Sequence, residues 1–273
     1  MSKLNKLFKE AKKNKKSVFI GFVTSGDPNY ASSKAIMKEM TKSCQIIEAG
    51  ISFNTSTSDS PIIMEANDRA IKSGMNLSKT FKLVKEVIKE TKTNTYFVLM
   101  TYLNPVIVYG MKKFINNCNS VGIAGVVIVD SNLNSPEEKI LINGLSKKSI
   151  GYTKIISPTN SDKFIQQSIK NCKNSFIYIT SYYGLTGSKN VNIKNVKKIV
   201  KKVKKYSKEI PTGVGFGVKT PKQVEQVSKY ADAVICGSSI VNKIKEGHEK
   251  KLSAQKLAKF VGKYVKVLSA GAK

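Results

Sequence analysis

The sequence predicts a single (β/α)8 barrel covering residues 1–273, with an extra helix at the N-terminal end. Three observations lead there. The length of 273 residues lies in the range of one such barrel. Eight short β-rich runs alternate with amphipathic stretches from end to end, which points to a parallel sheet. Glycine clusters follow the last three runs, where barrels often hold a phosphate. A doubly wound open sheet is the alternative architecture that the same alternation allows.

The elements follow in chain order. Met1–Lys16 is lysine-rich and helical in pattern, without the apolar stretch and small-residue site of a secretory signal. The candidate strands are Ser17–Thr24, Cys44–Glu48, Thr95–Thr101, Gly125–Asp130, Ile150–Ile156, Phe176–Thr180, Thr212–Phe216 and Ala233–Cys236. Among the helices between them, Ile193–Tyr206 has the strongest pattern. Ile193, Val196, Ile199, Val200 and Val203 line one face and lysines the other. Leu77–Thr91 reads the same way. So does Pro221–Tyr230, where Thr220 is an N-cap followed by proline at the first helical position. Leu252–Val267 predicts a last helix, and the tail Ser269–Lys273 reads as frayed.

Composition narrows the function. Hydrophobic residues at 41% supply a core, no apolar run approaches the length of a membrane span, and the widely separated cysteines, read as reduced thiols, suggest a cytoplasmic protein. The net charge of +29 suggests a polyanion binder. Against that, Arg69 is the only arginine among 47 basic residues, and arginine is the side chain that reads guanine and phosphate bidentately. The lysines are spread over most helices, as compositional drift would place them, so no nucleic-acid partner is expected. Cys44, Cys118, Cys172 and Cys236 stand far apart, and His248 is the only histidine. That excludes a Cys/His zinc site of ordinary spacing and leaves no metal expected. It also leaves acid–base chemistry to Asp, Glu, Tyr or Lys.

In a parallel barrel, functional groups sit at the C-terminal ends of strands. Glu48 ends the apolar run of the second strand. It reads either as a carboxyl whose pKa burial raises, suited to general acid–base work, or as a strand-end carboxylate paired with a lysine. Asp59, in the Ser/Thr-rich loop Ile51–Pro61, reads as a helix-cap residue or as a second, ionised carboxylate at the same mouth. The clusters Gly184–Gly187, Gly213–Gly217 and Cys236–Ser239 read as a backbone cradle for a phosphate or simply as tight turns. Phe22, Tyr178 and Phe216 offer either aromatic surface to a flat ligand or core packing.

Several short segments together resemble the tryptophan synthase alpha subunit, in that family's order and across nearly the whole chain. They are Phe22-Val-Thr-Ser-Gly-Asp-Pro28, Glu48-Ala-Gly-Ile-Ser-Phe53, Asp59-Ser-Pro61 and Leu99-Met-Thr-Tyr-Leu-Asn-Pro105. Gly125-Val-Val-Ile-Val-Asp130, Tyr178-Ile-Thr-Ser181, Gly184-Leu-Thr-Gly187, Gly215-Phe-Gly217 and Cys236-Gly-Ser-Ser-Ile-Val241 continue the series. The resemblance implies a (β/α)8 lyase of tryptophan biosynthesis. It would split indole-3-glycerol phosphate into indole and glyceraldehyde 3-phosphate by a retro-aldol reaction without cofactor or metal. Glu48 matches the catalytic glutamate that protonates the indole ring carbon. Asp59 matches the aspartate that holds the indole N–H. Gly187, Gly217, Gly237 and Ser238 match the phosphate cradle, and Phe22, Tyr102, Tyr178, Thr186 and Phe216 the substrate pocket. An α2β2 heterotetramer is implied, with pyridoxal phosphate only in the partner beta subunit.

The departures concentrate in one loop. The family continues after its glutamate with Gly-Ile-Pro-Phe-Ser-Asp-Pro, and here the stretch reads Gly50-Ile-Ser-Phe-Asn-Thr-Ser56, with Ser60 after Asp59. Lost prolines predict a more mobile loop. The resemblance implies that this loop faces the beta subunit, and Thr55 and Ser56 put its communication with that partner in doubt. Three other readings stay open on the sequence: a partner-binding subunit with little catalysis, a polyanion binder, and another phosphate-binding barrel enzyme.

Overall fold

The computed structural model describes residues 1–180, 193–215 and 217–272. Eight parallel strands close into a barrel in sequence order. They are β1 (Val18–Thr24), β2 (Ile46–Gly50), β3 (Tyr96–Thr101), β4 (Gly125–Ile128), β5 (Gly151–Ile156), β6 (Ile177–Thr180), β7 (Thr212–Gly215) and β8 (Ala233–Cys236). Each run expected from sequence carries a strand, and the pairing of β1 with β8 closes the ring and removes the open-sheet alternative. The largest shift in bounds is at β2, which begins two residues later and continues through Gly50. Glu48 is therefore a mid-strand residue rather than a strand end. Its neighbours in the sheet are Phe22 on β1 and Val98 on β3.

Twelve helices occur among the described residues. They are α1 (Lys3–Lys13), α2 (Tyr30–Met40), α3 (Pro61–Lys72), α4 (Leu77–Thr91), α5 (Leu103–Tyr109) and α6 (Met111–Val121). The chain continues with α7 (Pro136–Lys147), α8 (Asp162–Asn171), α9 (Ile193–Tyr206), α10 (Pro221–Ser228), α11 (Ser238–Glu249) and α12 (Ala254–Ser269). Caps set several starts. Asn76 accepts from Lys79 N at 2.9 Å to begin α4. Thr220 and Gln223 form a reciprocal capping box at α10, with Pro221 at its first turn. None of the helices among the described residues is long and apolar enough to cross a membrane.

Strand alternation sorts the core into two regions. Phe19, Val23, Ile47, Leu99, Val126, Tyr152 and Ile179 face outward onto the helices. Val18, Ile20, Ile46, Val98, Val127, Phe176 and Ile235 face inward and fill the lower barrel. The first helix closes that end. Leu4 and Phe8 join the inner cluster, and the Phe8 and Phe176 rings lie 5.5 Å apart. Ser2 Oγ donates to Asn174 O at 3.0 Å and Lys3 Nζ to Gly122 O at 2.8 Å, so α1 is tied to the loops that enter β6 and β4. The other end of the barrel carries the loops where chemistry was expected.

Two buried ion pairs fix loops at that end. Asp27, in the loop after β1, binds Arg69 on α3. Lys154 on β5 pairs with Glu138 on α7, and its Nζ also donates to Ser131 Oγ at 2.9 Å. Glu138 Oε2 accepts from Asn134 N and from Asn171 Nδ2, each at 2.7 Å. The loop 129–135 is thereby anchored. Within it, Asp130 accepts from Leu103 N at 2.7 Å and holds the start of α5.

Candidate active site

Glu48 projects inward from the middle of β2, between Phe22 and Val98. The side chain is only 1% exposed, and its Oε2 has no hydrogen-bond partner among the described residues. Burial alone pushes its pKa up to about 8. The alternative of a carboxylate paired with a lysine is not what the structure shows. This carboxyl holds its proton near neutral pH and has an atom free for a reacting group, which suits proton transfer.

Asp59 lies in the loop between β2 and α3, half-buried. Asn67 on α3 donates Nδ2 to its Oδ2 at 3.1 Å. Burial raises its pKa, and the Ser56 hydroxyl, the Asn67 amide and the Tyr102 hydroxyl oppose that rise. The residue at the N-cap of α3 is Ser60, so the helix-cap reading of Asp59 is set aside. The two carboxyls thus have unlike surroundings: one has apolar walls, the other several polar groups.

The aromatic residues connect them. Tyr178, inward on β6, has its pKa raised well above the usual value by burial, and then by the charges of Glu48, Cys236 and Asp59. Its hydroxyl therefore lies within reach of both carboxyl fields. Tyr102, just past the end of β3, accepts from Ser58 N at 3.1 Å and meets Phe53 in a tilted ring pair, with centroids 5.4 Å apart. Burial and the charge of Asp59 push its pKa up to about 12. Phe22 sits over Gly50 and Gly237. A Cβ on Gly50 would lie 2.7 Å from the Phe22 ring, so only glycine fits there. Phe22 clusters with Ala66 and Val241, and Ile62, Ile63 and Met100 pack against that cluster.

Across the mouth, Gly237 is the N-cap of α11 and Ser238 its first residue, with no side chain capping the helix. Backbone N–H groups at such an end favour an anion. Gly217 has φ +59, and a Cβ there would meet nothing within 4 Å, so its glycine serves the backbone turn and borders open space. Ser239 Oγ donates to Val218 O at 2.7 Å and ties the loop after β7 to the start of α11. Thr186, Gly187 and Phe216, also expected at this site, lie outside the described residues.

Three contributors escaped the sequence reading. Ser56 and Asn67 looked like a loop hydroxyl and an ordinary helix residue, and only the fold brings both to Asp59. Ser239 lay inside a glycine cluster, where its bond to another loop has no sequence signature. The four cysteines are free and buried, consistent with small core residues. Among the described residues, no group of three His, Cys, Asp or Glu side chains is placed to hold a metal ion.

Known proteins resemble this chain along nearly its whole length. Residues 8–269 match the family described as Tryptophan synthase alpha chain. The Tryptophan synthase alpha chain of Methanocaldococcus jannaschii is 34% identical over 246 residues, covering 90% of this chain and 85% of that protein. The protein of the same name from Petrotoga mobilis is 33% identical over 269 residues, covering 98% and 99%. Among solved structures, tryptophan synthase of Mycobacterium tuberculosis superposes with a TM-score of 0.88 at 26% identity, covering 99% of this chain and 98% of that one. The alpha subunit from Legionella pneumophila gives 0.87 at 27% identity, covering 100% and 98%. With the match running through nearly the whole barrel and through both carboxyl-bearing segments, the chain belongs to the tryptophan synthase alpha chain family.

Proposed function

We propose that Glu48 and Asp59 carry out the family's lyase reaction, the cleavage of indole-3-glycerol phosphate to indole and glyceraldehyde 3-phosphate. The observation that carries this reading is the Glu48 carboxyl, buried, unpartnered at Oε2 and with its pKa at about 8. Near neutral pH it is a proton donor. It gives its proton to C3 of the indole ring. The ring nitrogen then bears positive charge, which the Asp59 carboxylate stabilises while accepting its N–H. The bond from C3 to the glycerol chain breaks, and its electron pair restores the aromatic ring. The hydroxyl on the departing carbon becomes the aldehyde and returns its proton to Glu48. Protons and electrons balance without a cofactor in this chain. Tyr102, Tyr178 and Phe22 offer the flat apolar surface for the ring, with Thr186 and Phe216 assigned beside them by resemblance.

Gly217, Gly237 and Ser238, with Gly187 by resemblance, hold the phosphate. That contact fixes the reacting carbons against the carboxyls. A beta subunit is the proposed partner, with pyridoxal phosphate bound there. On α5, Val108 is 80% exposed and Ile107 46%, which offers such a partner an apolar contact beside the mouth. The cytoplasm is the compartment that fits this role.

The test is indole release from indole-3-glycerol phosphate by the purified chain, alone and with a beta subunit, beside Glu48→Gln. Release that the partner raises and the substitution abolishes is expected. Wild-type turnover in Glu48→Gln would overturn the assignment.

A further inference from the structure

Asp59 is held by a buried amide, and a buried serine of its own loop stands beside that amide. Asn67 and Ser56 are both buried, at 4% and 5% exposed. The Asn67 amide nitrogen lies 3.1 Å from Asp59 Oδ2 and 3.5 Å from Ser56 Oγ, so one amide bridges the aspartate and the loop that carries it. Ser56 stands where the resembled family has a proline.

We propose that Asn67 and Ser56 are positioning residues for Asp59, fixing the direction of its carboxylate and keeping it ionised toward the substrate's ring nitrogen. This rests on the role given to Asp59 above. A carboxyl losing contact with water tends to take up a proton unless donors stabilise its charged form. Both residues supply that stabilisation, and both lower the pKa against the effect of burial.

Each donor is itself held. Asn67 rides on α3, which Arg69 locks to Asp27 two residues further along. Ser73 Oγ, just past the helix, lies 3.4 Å from Gly26 O in the same loop. On the loop side, Ser52 Oγ donates to Ser25 O at 2.9 Å. Ser52 also stands where the family has a proline. At both positions a hydroxyl engaged with a neighbour occupies the place of a ring that restricts the chain. The mobility expected from the missing prolines is thus opposed by specific contacts.

The test compares wild type, Ser56→Ala, Ser56→Thr and Asn67→Ala. Indole release is followed against pH, and the Asp59 carboxyl carbon is titrated by NMR, assigned through Asp59→Asn. In Ser56→Ala and Asn67→Ala, both the titration midpoint and the acidic limb of kcat/KM are expected at higher pH. For Asn67→Ala, kcat near neutral pH is expected to fall about tenfold or more, from loss of a hydrogen bond to a charged group. Ser56→Thr keeps the hydroxyl and is expected to keep the wild-type midpoint. An Asp59 midpoint that stays in place in both alanine variants overturns the proposal, whatever happens to activity. A midpoint that moves in a protein whose wild type releases no indole would support the clamp and reject the reaction assigned to it.

Discussion

Arg69 grips Asp27 through two parallel hydrogen bonds, Nε to Oδ1 at 2.7 Å and a terminal nitrogen to Oδ2 at 3.0 Å. The Asp27 side chain is fully buried at the contact. All other Lys/Arg positions of the chain carry lysine. The guanidinium stands where a flat two-pronged donor is required, and an ammonium cannot serve both oxygens in that plane. Arg69→Lys is expected to cost roughly 1–3 kcal/mol of stability. Urea unfolding measures it, and an unchanged midpoint would count against this account.

Glu48 gives stability a pH dependence of predictable sign. Its folded pKa of about 8 lies above the ordinary 4.5. The fold therefore favours the protonated form. That contribution is full at acidic pH, below the unfolded value, and disappears as pH rises through the folded one. Glu48→Gln cannot ionise. Its stability relative to wild type should grow across that window, by on the order of a few kcal/mol at the alkaline end. Thermal unfolding of both proteins at mildly acidic and mildly alkaline pH decides it. A constant difference between them would show that Glu48 is not isolated from water.

The roles proposed for the two carboxyls predict how the rate depends on pH. Proton donation by Glu48 should fade as pH rises through about 8. Charge stabilisation by Asp59 should fade on the acidic side, at a pH that burial moves upward from the usual carboxylate range. A bell-shaped kcat/KM profile is expected. A profile flat through pH 8 would remove Glu48 from the proton-donor role.

Lys154 and Glu138 are buried together on the outer face of the barrel. Lys154→Met leaves the Glu138 carboxyl buried without its cation and is expected to cost about 3–5 kcal/mol. Adding Glu138→Gln should recover much of that loss. Denaturant unfolding of the single and double variants checks the coupling, and a double variant no more stable than the single would reject it.

The barrel was legible because its signals are local. Strand runs, turn glycines and the periodic face of α9 each lie within a few neighbouring residues, and alternation around a closed ring leaves few arrangements. Glu48 was legible for the same reason, as a charge ending an apolar run. Its depth was misplaced because Ala49 and Gly50, small residues with weak strand preference, continue β2 by pairing with β1 and β3. Asp59 stayed ambiguous on the sequence, since a helix cap and a working carboxylate look alike before Asn67 folds against it. The Lys154–Glu138 pair left no trace among so many lysines. Its partners lie 16 residues apart and meet only across the strand–helix layer.

The helix that seals the bottom of the barrel has a consequence for traffic. With Leu4 and Phe8 set against the inward layer, the interior has a floor. Among the described residues, a molecule entering at the strand ends meets that packing and finds no route onward through the lower barrel. Substrate arrival and product departure are then expected to share one doorway, the end that carries Glu48, Asp59, Gly217 and Gly237. Any protein seated over that doorway, beside Ile107 and Val108, becomes the next compartment for whatever leaves first.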